Sequence, residues 1–204
     1  MNRKGNLFIV SGPSGAGKDT VVNRFFEKST RDDVHLSVSA TTRAPRPGEQ
    51  EGVNYYYMTR EGFKQKISEG GFLEWAEFCD NMYGTPRDKV LEKLDSGIDV
   101  ILVIEVQGAM QVKKLYPDSI GVFMLCPSFS VQRQRLIDRA TETPEAVEKR
   151  IETARNEVEY AEHYDYVIIN RDIDISASEL ETIIISERLK VKNNIKNIEE
   201  VRKS

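Results

Sequence analysis

The stretch Gly12-Pro-Ser-Gly-Ala-Gly-Lys18-Asp19-Thr20 carries the clearest chemistry in the chain. Its spacing fits G-x-x-x-x-G-K, in which backbone N–H groups curl around a phosphate. Gly12, Gly15 and Gly17 permit the tight turns, and Pro13, Ser14 and Ala16 complete the loop. A helix N-terminus placed behind the loop favours an anion through its dipole. Lys18 adds a full positive charge for the outer phosphates of a nucleoside triphosphate. One position departs from the pattern: the Ser or Thr whose hydroxyl meets Mg²⁺ is here Asp19, followed by Thr20. A carboxylate beside polyphosphate is unfavourable unless a metal or Lys18 screens it. The Mg²⁺ ligand therefore stays open between Thr20 and Asp19, partly through water.

Arginines gather in two further stretches, Arg43 to Arg46 and Arg133 to Arg155. In a chain of net charge −4, such local clusters point to a bound phosphorylated small molecule rather than to nucleic acid. Arg133 and Arg155 read as solvated helix faces. Cys79 and Cys126 are too few and too far apart for a metal site or a disulfide framework and read as reduced, partly buried residues. His35 and His163 carry no assigned role.

Elements must position these groups. The apolar run Leu7 to Ser11 reads as a buried strand before the loop, and Val21, Val22, Phe25 and Phe26 mark one face of a helix after it. Val34 to Ala40 alternates as a half-buried strand. Pro45 and Pro47 exclude helix from the next stretch. Tyr55, Tyr56 and Tyr57 read as strand, and Thr59 starts a helix that stops at Gly70-Gly71. Phe72 to Phe78 alternates again, which puts Glu74 and Ala76 opposite Leu73, Trp75 and Glu77. Asn81 to Gly84 reads as a turn, and Thr85 as the cap of a helix with Pro86 at its first position and Gly97 beyond its end.

Ile98 to Ile104 is the longest apolar run and reads as the centre of a parallel sheet. Glu105 lies just beyond its C-terminal end, where open α/β sheets bind ligands. A helix through Val112 and Leu115 leads to a strand, Gly121 to Leu125. From Ser128 to about Glu162 the chain is polar and helical, split before Pro144, with Thr143 as cap. Tyr166 to Ile169 is a last strand, Ser176 with Glu179 reads as the capping box of the last main helix, and the tail from Lys190 reads as frayed helix. This order predicts an α/β fold: a P-loop core with a parallel β-sheet flanked by helices, interrupted by two insertions.

At 204 residues the chain accommodates one such domain. No apolar run approaches the ~20 residues of a membrane span, and the N-terminus leads straight into the first strand with no room for a signal peptide. The expected location is cytoplasmic, with no membrane or nucleic-acid partner and an undetermined oligomeric state. A phosphate loop with two insertions suggests a kinase of a small phosphorylated acceptor, one insertion binding the acceptor and the other closing to exclude water.

The loop, with Ser39-Ala-Thr-Thr-Arg43-Ala-Pro-Arg46-Pro-Gly-Glu49, Phe72-Leu-Glu74-Trp-Ala and Tyr83-Gly-Thr85, resembles guanylate kinase over roughly residues 5 to 185. The resemblance implies transfer of the γ-phosphoryl of ATP to GMP, with Mg²⁺, on a core of residues 1–38, 88–126 and 160–204. It implies a mixed β/α GMP-binding insertion at 39–87 and a helical lid at 127–159. On the implied roles, Arg43, Arg46, Tyr55 and Tyr83 hold the GMP phosphate. Glu74 accepts from guanine N1–H and the exocyclic amine, with Ser39 and Thr85 completing the base contacts and Glu105 on the same side. Arg135, Arg139 and Arg150 match the lid arginines, and Asn170 a position near adenine. Asp19, Val103 and Ala140 depart from the family pattern. The Gly-Lys-Asp loop is also similar to a sister branch that phosphorylates ribose 1,5-bisphosphate but lacks this arginine and tyrosine set. Non-enzymatic guanylate-kinase-like modules typically lose the lysine and lid arginines that are present here.

Overall fold

A computed structural model of the chain describes residues 3–78, 80–138 and 143–204. Strand β1 (Leu7–Ser11) enters the loop, and α1 (Lys18–Lys28) leaves it. Then come β2 (Val34–Leu36), β3 (Ala40–Thr41), β4 (Tyr56–Tyr57), α2 (Arg60–Ser68), β5 (Phe72–Phe78), β6 (Asn81–Pro86) and α3 (Arg87–Asp95). The chain continues through β7 (Asp99–Val103), α4 (Val106–Leu115), β8 (Ile120–Leu125), α5 (Phe129–Asp138) and α6 (Pro144–Val158). It ends with β9 (Tyr166–Ile169), α7 (Ile173–Leu189) and α8 (Ile195–Lys203).

Two sheets result. Five parallel strands run in the order β2-β7-β1-β8-β9. Because side chains alternate across a strand, Phe8 and Val10 pack with Val21, Phe25 and Leu180 on one face. Leu7 and Ile9 pack with Val90, Leu94, Ala109 and Val112 on the other. A strand covered on both faces has no polar side to show, hence its unbroken apolar run. The second sheet, β4-β3-β6-β5, is mixed and has its own small core, where Phe63 stacks on Phe72 at 4.3 Å between ring centroids. Leu136, Val147, Ile151 and Phe129 hold α5 to α6 in a third cluster. No described helix is long and apolar enough to cross a membrane.

Several local expectations are corrected. The centre of the large sheet is β1, with β7 beside it. The run Val34 to Ala40 is divided: β2 ends at Leu36 in the large sheet and β3 begins at Ala40 in the small one. Asn81 to Gly84 belongs to strand β6, paired antiparallel to β5, so the expected turn is strand. Thr85 also lies in β6, and Pro86 occupies the N-cap position of α3. Helix α7 starts at Ile173, capped by Asp172, whose carboxylate accepts from the amides of Asp174 and Ile175. Ser176 is buried inside that helix, because an earlier acceptor captured the orphan amides. Thr59 and Thr143 do cap α2 and α6. The tail holds a turn and α8, which buries no residue.

The alternation expected in β5 also fails. A register shift between Phe72 and Trp75 leaves Leu73 and Glu74 buried in succession, while Trp75 is exposed. Leu73 joins the core of the large sheet. Glu74, whose carboxylate lies against Gly108 of the same helix α4 that covers Leu73, is one of the few buried carboxylates among the described residues.

Candidate active site

The C-terminal ends of β1, β7, β8 and β9 converge, and the loop sits on them. At Gly12, φ is 142° and a Cβ would lie 2.1 Å from the Met124 carbonyl oxygen, so only glycine passes β8 there. Gly17, at φ 89°, is the N-cap of α1. Lys18 is 7% exposed; a buried ammonium needs partners, and it folds back onto the loop. Its Nζ donates to the carbonyls of Gly12 (2.7 Å) and Pro13 (3.4 Å) and lies 3.3 Å from Glu105 Oε1. Glu105 is the N-cap residue of α4, yet its side chain makes no capping bond; the carboxylate reaches Lys18 instead.

The helices α5 and α6 touch the loop from above. Arg150 donates to Ser14 Oγ (2.7 Å) and Gln132 to the Ser14 carbonyl (2.5 Å). Arg135 donates to the Asn170 carbonyl (2.9 Å), and the buried Asn170 amide donates to the Ala16 carbonyl (2.9 Å). The Cys126 thiol donates to the Gly15 carbonyl at 3.2 Å, and burial pushes its pKa up. Arg139, Ala140 and Cys79 lie outside the described residues. Arg133 pairs with Glu148 on an exposed face, as expected, and Arg155, also exposed as expected, lies over the Phe129 ring at 4.5 Å.

Asp19 and Thr20 face different clefts. Thr20 lines one of about 310 Å³ with Gly15, Gly17, Arg135 and Asn170. Asp19 lines another of about 280 Å³ with Ser39, Tyr55 and Val103. The position that usually carries the metal-binding hydroxyl therefore points toward the small sheet.

On that sheet, Arg43 grips both oxygens of Glu49 (2.8 and 3.0 Å) and lies over the Tyr55 ring at 5.4 Å. Glu49 also accepts from the Arg46 amide (2.7 Å) and the Tyr57 hydroxyl (2.9 Å). These donors, Arg43 first, hold its carboxyl down to about 2. Tyr55 and Tyr83 meet edge to face at 6.1 Å, and the Arg46 side chain is exposed. Burial raises the pKa of Glu74, opposed by donors from Thr85, whose hydroxyl lies 2.6 Å from Oε1. Among the described residues no cation pairs with Glu74, and a buried carboxylate held by one hydroxyl favours further donors.

The structure thus brings together Lys18, Glu105, Arg135, Arg150 and Asn170 around the loop, and Ser39, Arg43, Tyr55 and Tyr83 around the second cleft. Glu49, Gln132 and Glu157 were not singled out from sequence. Burial raises the Glu157 carboxyl, and the negative charge of Glu105 adds to the effect while Lys18 opposes it. Glu49 belongs to the recognised Arg43 to Glu49 segment, which was the available signal. A glutamine or glutamate on an amphipathic helix gives none.

Fold and site together define a P-loop phosphotransferase with a second cleft beside the loop. A protein-family model described as guanylate kinase matches residues 4–187. The guanylate kinase of Oceanobacillus iheyensis is 47% identical over 190 residues, 93% of this chain and 91% of that protein. That of Clostridioides difficile is 46% identical, covering 96% and 94%. A crystal structure of guanylate kinase from Anaplasma phagocytophilum superposes with a TM-score of 0.77 at 32% identity, covering 98% of this chain and 96% of that one. The chain belongs to the guanylate kinase family, and so to the ATP:GMP phosphotransferases.

Proposed function

We propose that this chain transfers the γ-phosphoryl of ATP to GMP, and to dGMP, giving ADP and GDP in the cytoplasmic purine nucleotide pool. Residues 39–87 bind the acceptor and 127–159 form the lid over the remaining core. The observation that carries the reading is the buried Glu74 carboxylate on the small sheet of a chain whose phosphate loop keeps its lysine. Guanine offers N1–H and an exocyclic amine on one edge, two donors for two carboxylate oxygens. Adenine would leave the buried carboxylate facing an acceptor, a mismatch on the order of 10⁴-fold.

Arg43, Arg46, Tyr55 and Tyr83 bind the acceptor phosphate, Arg43 exchanging or sharing its Glu49 partner. Ser39 and Thr85 flank the base, Thr85 by holding Glu74. An anionic oxygen of GMP then attacks the γ-phosphorus, the bond to the β–γ bridging oxygen breaks, and ADP leaves with the electron pair. No base is needed, because the attacking oxygen carries no proton. Lys18, the loop N–H groups from Ser14 to Thr20, Arg135, Arg139 and Arg150 neutralise the charge that spreads over the transferring group. Asn170 braces the loop and borders the donor cleft.

Of the two open candidates, Thr20 lines the cleft beside Gly15, Gly17 and Arg135, while Asp19 lines a different one. Thr20 would hold an ion that keeps most of its waters and takes its other ligands from substrate phosphates, as Mg²⁺ does. Among the described residues no cluster of three His, Cys, Asp or Glu side chains is placed to hold a metal. When bound with ATP, Mg²⁺ supplies charge neutralisation at the β- and γ-oxygens. A coupled ADP-release assay over GMP, AMP, UMP, CMP and ribose 1,5-bisphosphate tests the proposal. GMP is expected to lead by a wide margin; an equal rate with AMP or a preference for the bisphosphate ends it.

A further inference from the structure

Gly108 lies in the first turn of α4 and is buried. Glycine inside a helix is disfavoured relative to alanine by backbone entropy, so its presence there needs a reason. Its backbone shows no left-handed angle, which leaves space as the reason. A Cβ at this position would lie 2.8 Å from Glu74 Oε2, 3.3 Å from its Cδ and 3.4 Å from its Cγ. The three nearest atoms all belong to one side chain. The other oxygen, Oε1, is held by the Thr85 hydroxyl, so the carboxylate sits between that hydroxyl and the bare face of α4.

The neighbours of Glu74 on β5 meet the same helix. Leu73 packs in one cluster with Ala109 and Val112. Gln111 pairs with the backbone of Trp75, accepting from its N–H and donating to its carbonyl, each at 3.4 Å. Helix α4 is in turn part of the large-sheet core and begins at Glu105, the partner of Lys18. A single rigid element therefore touches the phosphate-loop lysine at one end and the small-sheet carboxylate along its side.

We propose that Gly108 is a specificity-determining positioning residue: its missing side chain leaves the room that fixes the Glu74 carboxylate against α4 for reading the base. The inference rests on Glu74 being the guanine acceptor. Alanine at 108 meets only the end of a flexible side chain, so the fold can survive by rotating Glu74 away. Recognition bears the loss, since a displacement of about 1 Å in a binding group can cost ~100-fold.

The test compares the full-length wild type, Gly108→Ala, Glu74→Ala and the double variant. Steady-state kinetics use GMP and IMP, which lacks the exocyclic amine, with ATP affinity by calorimetry and thermal melting alongside. Gly108→Ala is expected to raise KM for GMP by ~10-fold or more, with a smaller change in kcat and a reduced preference for GMP over IMP. ATP affinity stays at the wild-type value, and the melting temperature is unchanged or higher. In the Glu74→Ala background the same substitution should add nothing, because the side chain that a Cβ at 108 would displace is gone. An unchanged KM for GMP overturns the proposal. So does an equal loss in both backgrounds, or a lower melting temperature with weakened ATP binding, which marks a packing role only. A wild type that does not favour GMP over AMP removes the function assigned to Glu74, and the inference with it. A selective wild type with a silent Gly108→Ala removes the inference alone.

Discussion

The donor loop and the acceptor cleft both offer cations to phosphate, but they hold them differently at rest. Around the loop the cations rest mainly on neutral oxygens: Lys18 on two carbonyls, Arg135 on a carbonyl and Arg150 on a hydroxyl. Phosphate oxygens outcompete these, since charge-assisted bonds are about twice as strong as neutral ones. In the acceptor cleft, Arg43 is already paired with a carboxylate, and Glu49 gathers three donors as a phosphate would. Glu74, the proposed base reader, reverses the problem: it is a buried carboxyl whose partner among the described residues is Thr85, with no cation there pairing it. On the proposed function, the loop suits ready exchange of partners and the small-sheet side suits discrimination.

Replacing Lys18 by alanine should break the donor side most severely. The expected result is a fall in kcat of about 10³-fold, measured by ADP release, while GMP binding by calorimetry is retained. Loss of GMP affinity together with turnover would mean that the two sites are not separable.

On the acceptor side, Glu74→Gln should lower kcat/KM for GMP and relax base choice, and it carries a stability signature as well. Burial raises the Glu74 carboxyl above its unfolded value, so between those two values the native state holds more protons than the unfolded state. Stability then falls as pH rises through that window. Removing the charge abolishes this loss. The variant should melt a few degrees above wild type at neutral pH, with the gap closing as pH falls below the ordinary glutamate range. A melting difference that ignores pH would show that the carboxylate is not strained by burial.

The smallest effect is expected at Asp19. Its side chain is exposed and faces the Ser39 and Tyr55 cleft, so Asp19→Ser should preserve activity or raise it modestly. A collapse in kcat at saturating Mg²⁺ would give Asp19 an active part in the donor site.

The phosphate loop was legible because its residue types are dictated by local geometry: glycine for close backbone passage at Met124, and lysine at the first turn of a helix. Thr59 and Thr143 were legible as caps for the same reason. Ser176 and Glu179 show the limit, since a capping pair loses to an earlier acceptor, Asp172, that supplies the first amides. The turn expected at Asn81 to Gly84 failed because the pairing of β6 with β5 overrode local preference.

By itself the chain determined its strand-loop-helix start, its alternating core and the residue set that resembles guanylate kinase, because those depend on neighbours a few positions apart. Tertiary structure alone decided that Glu74 is buried, that Glu49 occupies Arg43, and that α4 meets both the lysine and the carboxylate. These contacts join residues far apart in the chain through a register shift and a crossover. Their energies come from burial, which no short window of sequence contains.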